Sequence, residues 1–316
     1  MIPFQYLVAD QLDAALTEYA KGTAALKSSG IDVLDLMKEH INTPETVLSI
    51  HRLNELRYIR QDPDGVHIGS GTTLADIGRN DLLATKYKVL HESAAHAATP
   101  QIREQATIAG NLCQRPRCWY FRNAEFHCLK KGGHTCFAVE GENRYHAIFG
   151  EGPCHIVHPS NTAPALIALD AVLVLRAASA PEERIRVSEF FKMPHESLYA
   201  ENMLKPGQII AEIILPQVPT LSATIELREK QSFDWPMVIS SVARLDGSWR
   251  VCLGAVAPIP WLSKSAMRIL RNRDMSQDLA AAAGDAAAEG AEPMTDNEYK
   301  VTQVRVATKR ALLAAS

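Results

Sequence analysis

Four of the six cysteines fall between positions 118 and 154, at Cys118, Cys128, Cys136 and Cys154. The stretch around them follows neither a helical nor a strand period. From Cys113 to Pro159 it contains Gly132-Gly133, Gly150, Gly152, Pro153 and five of the eleven histidines. Connections between elements are normally much shorter, and a loop of this length is either functional or disordered. Several thiols gathered by one loop point to a metal or iron–sulfur centre. The segment therefore reads as an insertion organised by whatever its cysteines bind.

The gaps between these cysteines are nine, seven and seventeen residues. Structural zinc sites use close C-x-x-C-like pairs, because one tight knuckle then supplies two ligands. Ferredoxin-type runs are also closely spaced. The spacing selects neither metal, but it fits four independent ligands around a larger object, and four thiolates are the ordinary ligand set of a [4Fe–4S] cluster. Two other readings stand beside it. One is structural zinc, with His127, His134 or His155 replacing a thiolate. The other is a set of cysteines that are merely buried. Arg115, Arg117, Arg122, Lys130 and Lys131 lie nearby and are expected to offset the negative charge of a cluster and its thiolates. Cys113 and Cys252 lie in apolar contexts and read as small buried residues.

A chain of 316 residues exceeds one small core, so two or three domains are expected. The formal charge of -3 argues against a nucleic-acid partner. No apolar run is long enough to span a bilayer. Met1-Ile2-Pro3-Phe4-Gln5 lacks the basic start and apolar stretch of a signal peptide. The expected compartment is the cytoplasm, or the periplasm if a partner carrying a signal exports the folded assembly. Without a secretion signal, the cysteines do not suggest a disulfide framework.

The apolar pattern predicts a helix capped by Asp10 and ended by Gly22, a strand at 24–27 and a helix through Leu34, Met37 and Ile41. Strands are expected near 47–50, 56–59 and 66–69. Thr73 and Asp76 form a capping box for a further helix, and another covers about 86–98. Beyond the insertion come a helix at 164–169 and strands at 171–175 and 209–215. A linker follows at 217–220. Strands are then expected at 224–228, 238–245 and 250–257, with Asp246-Gly247 as a hairpin turn. Helices near 263–270, 278–288 and 297–313 close the chain. The alanine-rich tract at 280–291 reads as a surface helix.

Two turns suit an anion. Ser28-Ser29-Gly30 lies between a strand and a helix, where small residues let backbone N–H groups converge and the helix dipole adds attraction. A plain strand–helix turn is the bland alternative. Thr107-Ile108-Ala109-Gly110-Asn111 reads as a second small-residue turn. Neither is a Rossmann or P-loop motif.

Several motifs in order resemble one family along nearly the whole chain. Gly30-Ile31-Asp32-Val33-Leu34 is similar to the A-G-G-T-[DN]-L-L flavin loop of the FAD-binding subunits of molybdenum hydroxylases, the xanthine dehydrogenase and aldehyde oxidase family. Gly69-Ser70-Gly71-Thr72-Thr73 resembles its G-A-x-T-T element, and Arg103 with Thr107–Leu112 its second flavin loop. His158–Asn161 and Pro164–Ala171 resemble its P-S-D-x-x-P-A-L-x-A-L-D-A run. Ser232–Val238 and Gly254–Pro258 resemble the C-terminal signature. The similarity is greatest to the subset with an extra iron–sulfur loop, as in periplasmic aldehyde oxidoreductase and 4-hydroxybenzoyl-CoA reductase.

The resemblance implies an α+β architecture: a vanillyl-alcohol-oxidase-type FAD fold of two subdomains, then a C-terminal α+β domain of the CO dehydrogenase flavoprotein type. The expected divisions are 1–60, 61–216 with the insertion at 113–159, and 221–316. It implies FAD held by Leu26, Lys27, Ser28, Ser29, Gly30, Ile31, Asp32, Val33, Thr73, Arg103, Thr107, Gly110, Asn111, Asn161 and Met237. It implies [4Fe–4S] on Cys118, Cys128, Cys136 and Cys154, and no catalytic side chain. The implied partners are a molybdenum large subunit, a [2Fe–2S] small subunit and an external acceptor.

Three departures stand out. Ser29 replaces the first of two glycines, and Ile31 replaces a threonine. Lys27 stands where an apolar residue is usual, its charge expected to attract diphosphate. Asn161 replaces an aspartate. Serine tolerates a positive φ less well than glycine, so the first departure favours a competing expectation, a flavin-less, metal-organised scaffold. A self-sufficient flavin oxidase lacks a constellation for substrate chemistry.

Overall fold

The computed structural model describes residues 1–231 and 233–316. Ser232, the first residue of the C-terminal signature, lies outside the described residues. Three sheets carry the chain. The first alternates strand and helix: β1 (Gln5–Val8), α1 (Leu12–Tyr19), β2 (Ala24–Lys27), α2 (Ile31–Lys38) and β3 (Thr46–Ser49). β3 lies between β1 and β2, parallel to both. Alternating βαβ units produce a parallel sheet because each helix returns the chain to the same edge.

The second sheet is antiparallel, in the order β4 (Ile59–Asp62), β5 (Gly65–Gly69), β8 (Ile209–Leu215), β6 (Val172–Arg176), β7 (Glu183–Arg186). Between β5 and β6 the chain runs through α3 (Leu74–Ile77), α4 (Asp81–Lys86), α5 (Lys88–Ala95), α6 (Pro100–Gln105), α7 (Ile108–Leu112), α8 (Trp119–Arg122) and α9 (Thr162–Ala168). α9 is wholly buried, and its Leu166, Ile167 and Leu169 pack with Leu173 and Ile213 of the sheet. The third sheet is the antiparallel meander β9 (Leu221–Leu227), β10 (Val238–Leu245), β11 (Ser248–Gly254), β12 (Trp261–Leu262). It is covered by α10 (Lys264–Ile269), α11 (Gln277–Ala287) and α12 (Tyr299–Ala315). The mixed α and β content agrees with the expected class. Among the described residues, no helix is long and apolar enough to cross a membrane.

The structure departs from the sequence reading where tertiary packing outweighs local pattern. The alanine-rich helix α11 keeps an exposed face at Asp278, Ala282 and Asp285, but it also buries Ala280, Ala283, Ala286 and Ala287. Its small residues allow α12 to approach so closely that a Cβ on Gly284 would lie 2.5 Å from Arg305 O. The expected strand at 56–59 is a 3-10 turn at Asn54–Leu56 followed by β4. The expected helix at 86–98 is two helices, α4 and α5, meeting at Tyr87. Thr107–Asn111 is not a tight turn but the start of α7, with Thr107 Oγ1 accepting from the Gly110 amide. Gln11, not Asp10, precedes α1.

The sheet edge beside Gly69-Ser70-Gly71 contains a buried charge network. His67 Nε2 lies 2.9 Å from Asp64, and Nδ1 lies 2.9 Å from Glu212, off the line of a good hydrogen bond but close enough for attraction. Glu212 also accepts from Tyr58 OH at 2.7 Å and Arg60 at 3.1 Å. Burial would lower the His67 pKa, but Glu212 and Asp64 outweigh it and the net shift is upward. A raised folded-state pKa gives stability that is full below the unfolded value, about 6.5, and fades as pH rises through the folded one. The wild-type melting temperature is therefore expected to fall more than that of His67→Gln between about pH 6 and pH 8.5. Parallel pH profiles for the two proteins would contradict this.

Candidate cofactor site

A cleft of about 660 Å³ opens between the first sheet, the Ser70-Gly71 turn, α7 and the loop after β9. That size suits a bound small molecule. One wall is the connection from β2 to α2. Gly30 takes φ +94 and Ser29 does not take a positive φ, so the left-handed position falls on the glycine that is retained. A Cβ on Gly30 would come 2.8 Å from Lys27 Cε. The Lys27 stem thus lies under the turn. Its ammonium turns to Ser28 O at 3.2 Å and Tyr6 OH at 3.5 Å. None of the amides from Ser28 to Val33 donates to an acceptor among the described residues. The first amides of a helix have no partner within it, and together with those of the turn they offer converging donors to an anion.

The structure brings Leu26, Ser28, Ser29, Gly30, Ile31, Asp32, Val33, Thr107, Gly110, Asn111 and Asn161 to this cleft. Lys27, Thr73, Arg103 and Met237 do not line it. Thr73 caps α3 through the Asp76 amide. Arg103 donates to Ala97 O at 2.8 Å and Ala98 O at 3.1 Å, fixing a turn that itself lines the cleft. Met237 is buried. Asn111 Oδ1 accepts from Ser160 at 2.6 Å and Thr162 at 2.7 Å, which seats α9. Asn161 Nδ2 donates to Glu226 at 3.0 Å. Ser70, Gly71, Thr99 and Arg117 also line the cleft and were not chosen from the sequence as cofactor contacts. Arg117 falls in the thiol-bearing segment, just past the second flavin loop.

Cys118, Cys128, Cys136 and Cys154 line one small pocket, with Tyr120, Phe137, His146 and His155 around them. All six cysteines of the chain are free. Cys118 sits at the N-terminus of α8, and Cys128 opens a 3-10 turn at Leu129–Lys131. His146 Nε2 lies 3.2 Å from Cys118 Sγ. Of the three histidines weighed as zinc ligands, His155 reaches the pocket wall, and His127 and His134 do not line it. His146, from the undifferentiated middle of the segment, was not singled out. A zinc ion with Zn–S near ~2.3 Å would draw four sulfurs to roughly 3.8 Å from one another. Among the described residues, the group with three ligand atoms within 4.8 Å of one another is Asp62, Asp64 and His67, not the thiols. Burial, the leading cause, pushes the Cys118 thiol up to about 11. The proximity of Cys136 and Cys154 holds Cys136 below the thiol range and, with burial, Cys154 above it.

Most of the neighbouring cations serve a different end from the one expected. Arg115 pairs with the buried Glu201 at 2.9 Å, and Lys130 reaches the same carboxylate at 2.8 Å. Arg117 and Arg122 pair with Asp32 at 3.0 and 2.7 Å, away from the thiols. Lys131 donates to Asn123 O. Carboxylates and carbonyls are their direct partners, but Lys130 also lines the thiol pocket, where its charge favours the Cys154 thiolate as expected.

Helix α12 fastens the segment. The Lys300 ammonium donates to Tyr145 O, His146 O and Ala255 O at 2.9 to 3.1 Å. Asn297 Nδ2 reaches Asn143 O, His146 O and Ala147 O. Burial pulls Lys300 down to about 7, while its three N–H donors match three carbonyl acceptors.

Comparison with known proteins adds the following. The FAD binding domain in molybdopterin dehydrogenase matches residues 2–218, and the CO dehydrogenase flavoprotein C-terminal domain matches residues 246–315. The aldehyde oxidoreductase FAD-binding subunit PaoB of Escherichia coli K12 is 32% identical over 92% of this chain and 90% of its own. The carbon monoxide dehydrogenase medium chain of Hydrogenophaga pseudoflava is 25% identical over 92% of this chain and 89% of its own. Among solved structures, carbon monoxide dehydrogenase from that organism superposes with a TM-score of 0.77 at 24% identity, covering 100% of this chain and 98% of its own. Quinoline 2-oxidoreductase from Pseudomonas putida 86 gives 0.76 at 19% identity, covering 99% and 97%. At these identities the structures show a shared fold.

The Gly30 geometry sets a testable asymmetry. Gly30→Ala is expected to cost about 1–2 kcal/mol of stability, because a side chain is forced to positive φ, and to lower the flavin retained on purification. Ser29→Gly is expected to improve neither. Chemical denaturation and flavin absorbance of the two variants check this; a gain in flavin with Ser29→Gly would refute it.

Proposed function

We propose, from the premise that this chain belongs to the family of FAD-binding subunits of molybdopterin dehydrogenases, that it is the electron-transfer arm of a heteromeric molybdenum hydroxylase. In this reading a molybdenum large subunit oxidises the organic substrate and a [2Fe–2S] small subunit relays electrons to this chain. FAD, when bound, would take up those electrons and pass them to an external acceptor. The observation that carries the reading is the row of free amides from Ser28 to Val33 on the wall of a cleft large enough for a dinucleotide.

The chain's own part is to bind and orient. The Ser28–Val33 amides would hold the diphosphate, and Gly110 and Ser70-Gly71 leave room for close approach. No side chain in the cleft is required as a general base. The left-handed position falls on Gly30 and not on Ser29, which weakens one of the two departures, Ser29 and Ile31, that favour a flavin-less scaffold.

Cys118, Cys128, Cys136 and Cys154 would hold a [4Fe–4S] cluster as the second redox group. The spacing of the thiols supports this over zinc: they line one small pocket but are spread more widely than one tetrahedral ion requires. The ring cluster of Tyr120, Phe126 and Phe137, with centroids 5.0 to 6.0 Å apart, would limit water beside it.

Anaerobic purification of the full chain, with flavin, iron and zinc quantified, tests both parts. The expected result is flavin absorption with about four irons per chain and no turnover of an organic substrate by the chain alone. Zinc without flavin would overturn the redox reading. Flavin without iron would remove the cluster and leave the FAD assignment standing.

A further inference from the structure

The first turn of α2, which faces the cleft, carries the carboxylate of Asp32. A negative charge there opposes any anion drawn to the same turn. The thiol-bearing segment cancels it. Arg122 Nη2 lies 2.7 Å from Asp32 Oδ1, Arg117 Nη2 lies 3.0 Å from the same oxygen, and the Arg115 amide donates to Oδ2 at 2.9 Å. Arg122 Nη1 also pairs with Asp35 at 2.7 Å.

Arg122 is itself held in place. Its Nε donates to Pro116 O at 2.8 Å and Nη2 to Arg115 O at 3.1 Å, and its side chain is 11% exposed. Behind it, Leu36 of α2 packs with Phe121 and Cys128 in one buried cluster. Both the charge and the apolar face of α2 are therefore met by the segment that carries the thiols.

We propose that Arg122, with Arg117 beside it, is a positioning residue for the cofactor. It neutralises Asp32, so that the Ser28–Val33 amides meet an anionic diphosphate without a competing charge. Flavin affinity thereby depends on the folded state of the thiol-bearing segment. The inference rests on the reading of the cleft as the FAD site. Arg122 does not line the cleft; it acts through Asp32.

The test measures FAD affinity of the deflavinated full chain by fluorescence titration, with folding followed by circular dichroism. Arg122→Gln is expected to bind FAD about tenfold more weakly, because Asp32 then keeps only Arg117 and the Arg115 amide against its charge. Arg122→Lys, which keeps the charge but loses the fork to Asp32 and Asp35, is expected to bind more tightly than Arg122→Gln and less tightly than wild type. Adding Asp32→Asn to Arg122→Gln is expected to restore affinity. Rescue by removing the carboxylate is an outcome that a merely structural arginine would not give. Should Arg122→Gln fail to fold, the double variant still decides, since the proposal requires it to bind FAD like wild type. Unchanged affinity in Arg122→Gln, or no rescue by Asp32→Asn, would overturn the proposal. A wild-type chain that binds no FAD would instead remove the reading on which it rests.

Discussion

A stretch with almost no helix or ladder still carries a full set of backbone carbonyls, and each needs a donor once it is buried. Between Cys113 and Pro159 the structure has one turn of α8 and one 3-10 turn, so side chains supply what secondary structure does not. Lys300 and Asn297, both almost fully buried on or beside α12, meet the carbonyls of 143–147. Asn143 answers in the other direction, its Nδ2 reaching Ala138 O, Gly141 O and Thr295 Oγ1. A lysine buried this deeply is tolerated because three acceptors surround its ammonium. The placement of the thiol pocket follows from these contacts, and so does the wall that the same segment gives to the cleft.

The two sites share a structural unit. α2 presents amides to the cleft, and its Leu36 packs against Phe121 and Cys128, two residues of the thiol pocket wall. Residues 117 and 118 are consecutive, yet Arg117 lines the cleft and Cys118 lines the pocket. Arg117 also lies 4.9 Å from the ring of Trp235, in the loop between β9 and β10, so the third sheet meets the other two parts at the cleft mouth. Buried ion pairs such as Arg122–Asp32 contribute little net stability once desolvation is counted. Their stronger effect is to fix which charges face which ligand.

Much of this was legible in the sequence, for identifiable reasons. Strands such as 24–27, 209–215 and 238–245 were set by short apolar runs with clear punctuation. Asp246-Gly247 turned as expected because both residues take positive φ, at 46 and 77. The cysteines announced a shared pocket by their concentration in a segment without period. What the sequence did not disclose depended on contacts distant along the chain. Nothing local distinguishes Arg122 from a solvated cation; its role appears only when Asp32 and Asp35 are brought to it. α11 is a surface helix as read, but alanine is neutral in pattern, and only the close approach of α12 shows which of its faces is core. Ser29 looked like a defect because the motif has two glycines, whereas only the second occupies the left-handed position.

The second sheet has one further consequence, concerning the order in which the chain is made. β8 pairs with both β5 and β6, so Gly69 is joined to Glu212 and Leu173 to Ile213. The central strand of this sheet is therefore the last of its five to be synthesised. During translation, β4 with β5 and β6 with β7 exist only as separate hairpins until residue 215 leaves the ribosome. Hairpins alone are marginal in water. The whole thiol-bearing segment thus precedes in the chain the strand that joins the two hairpins into one sheet.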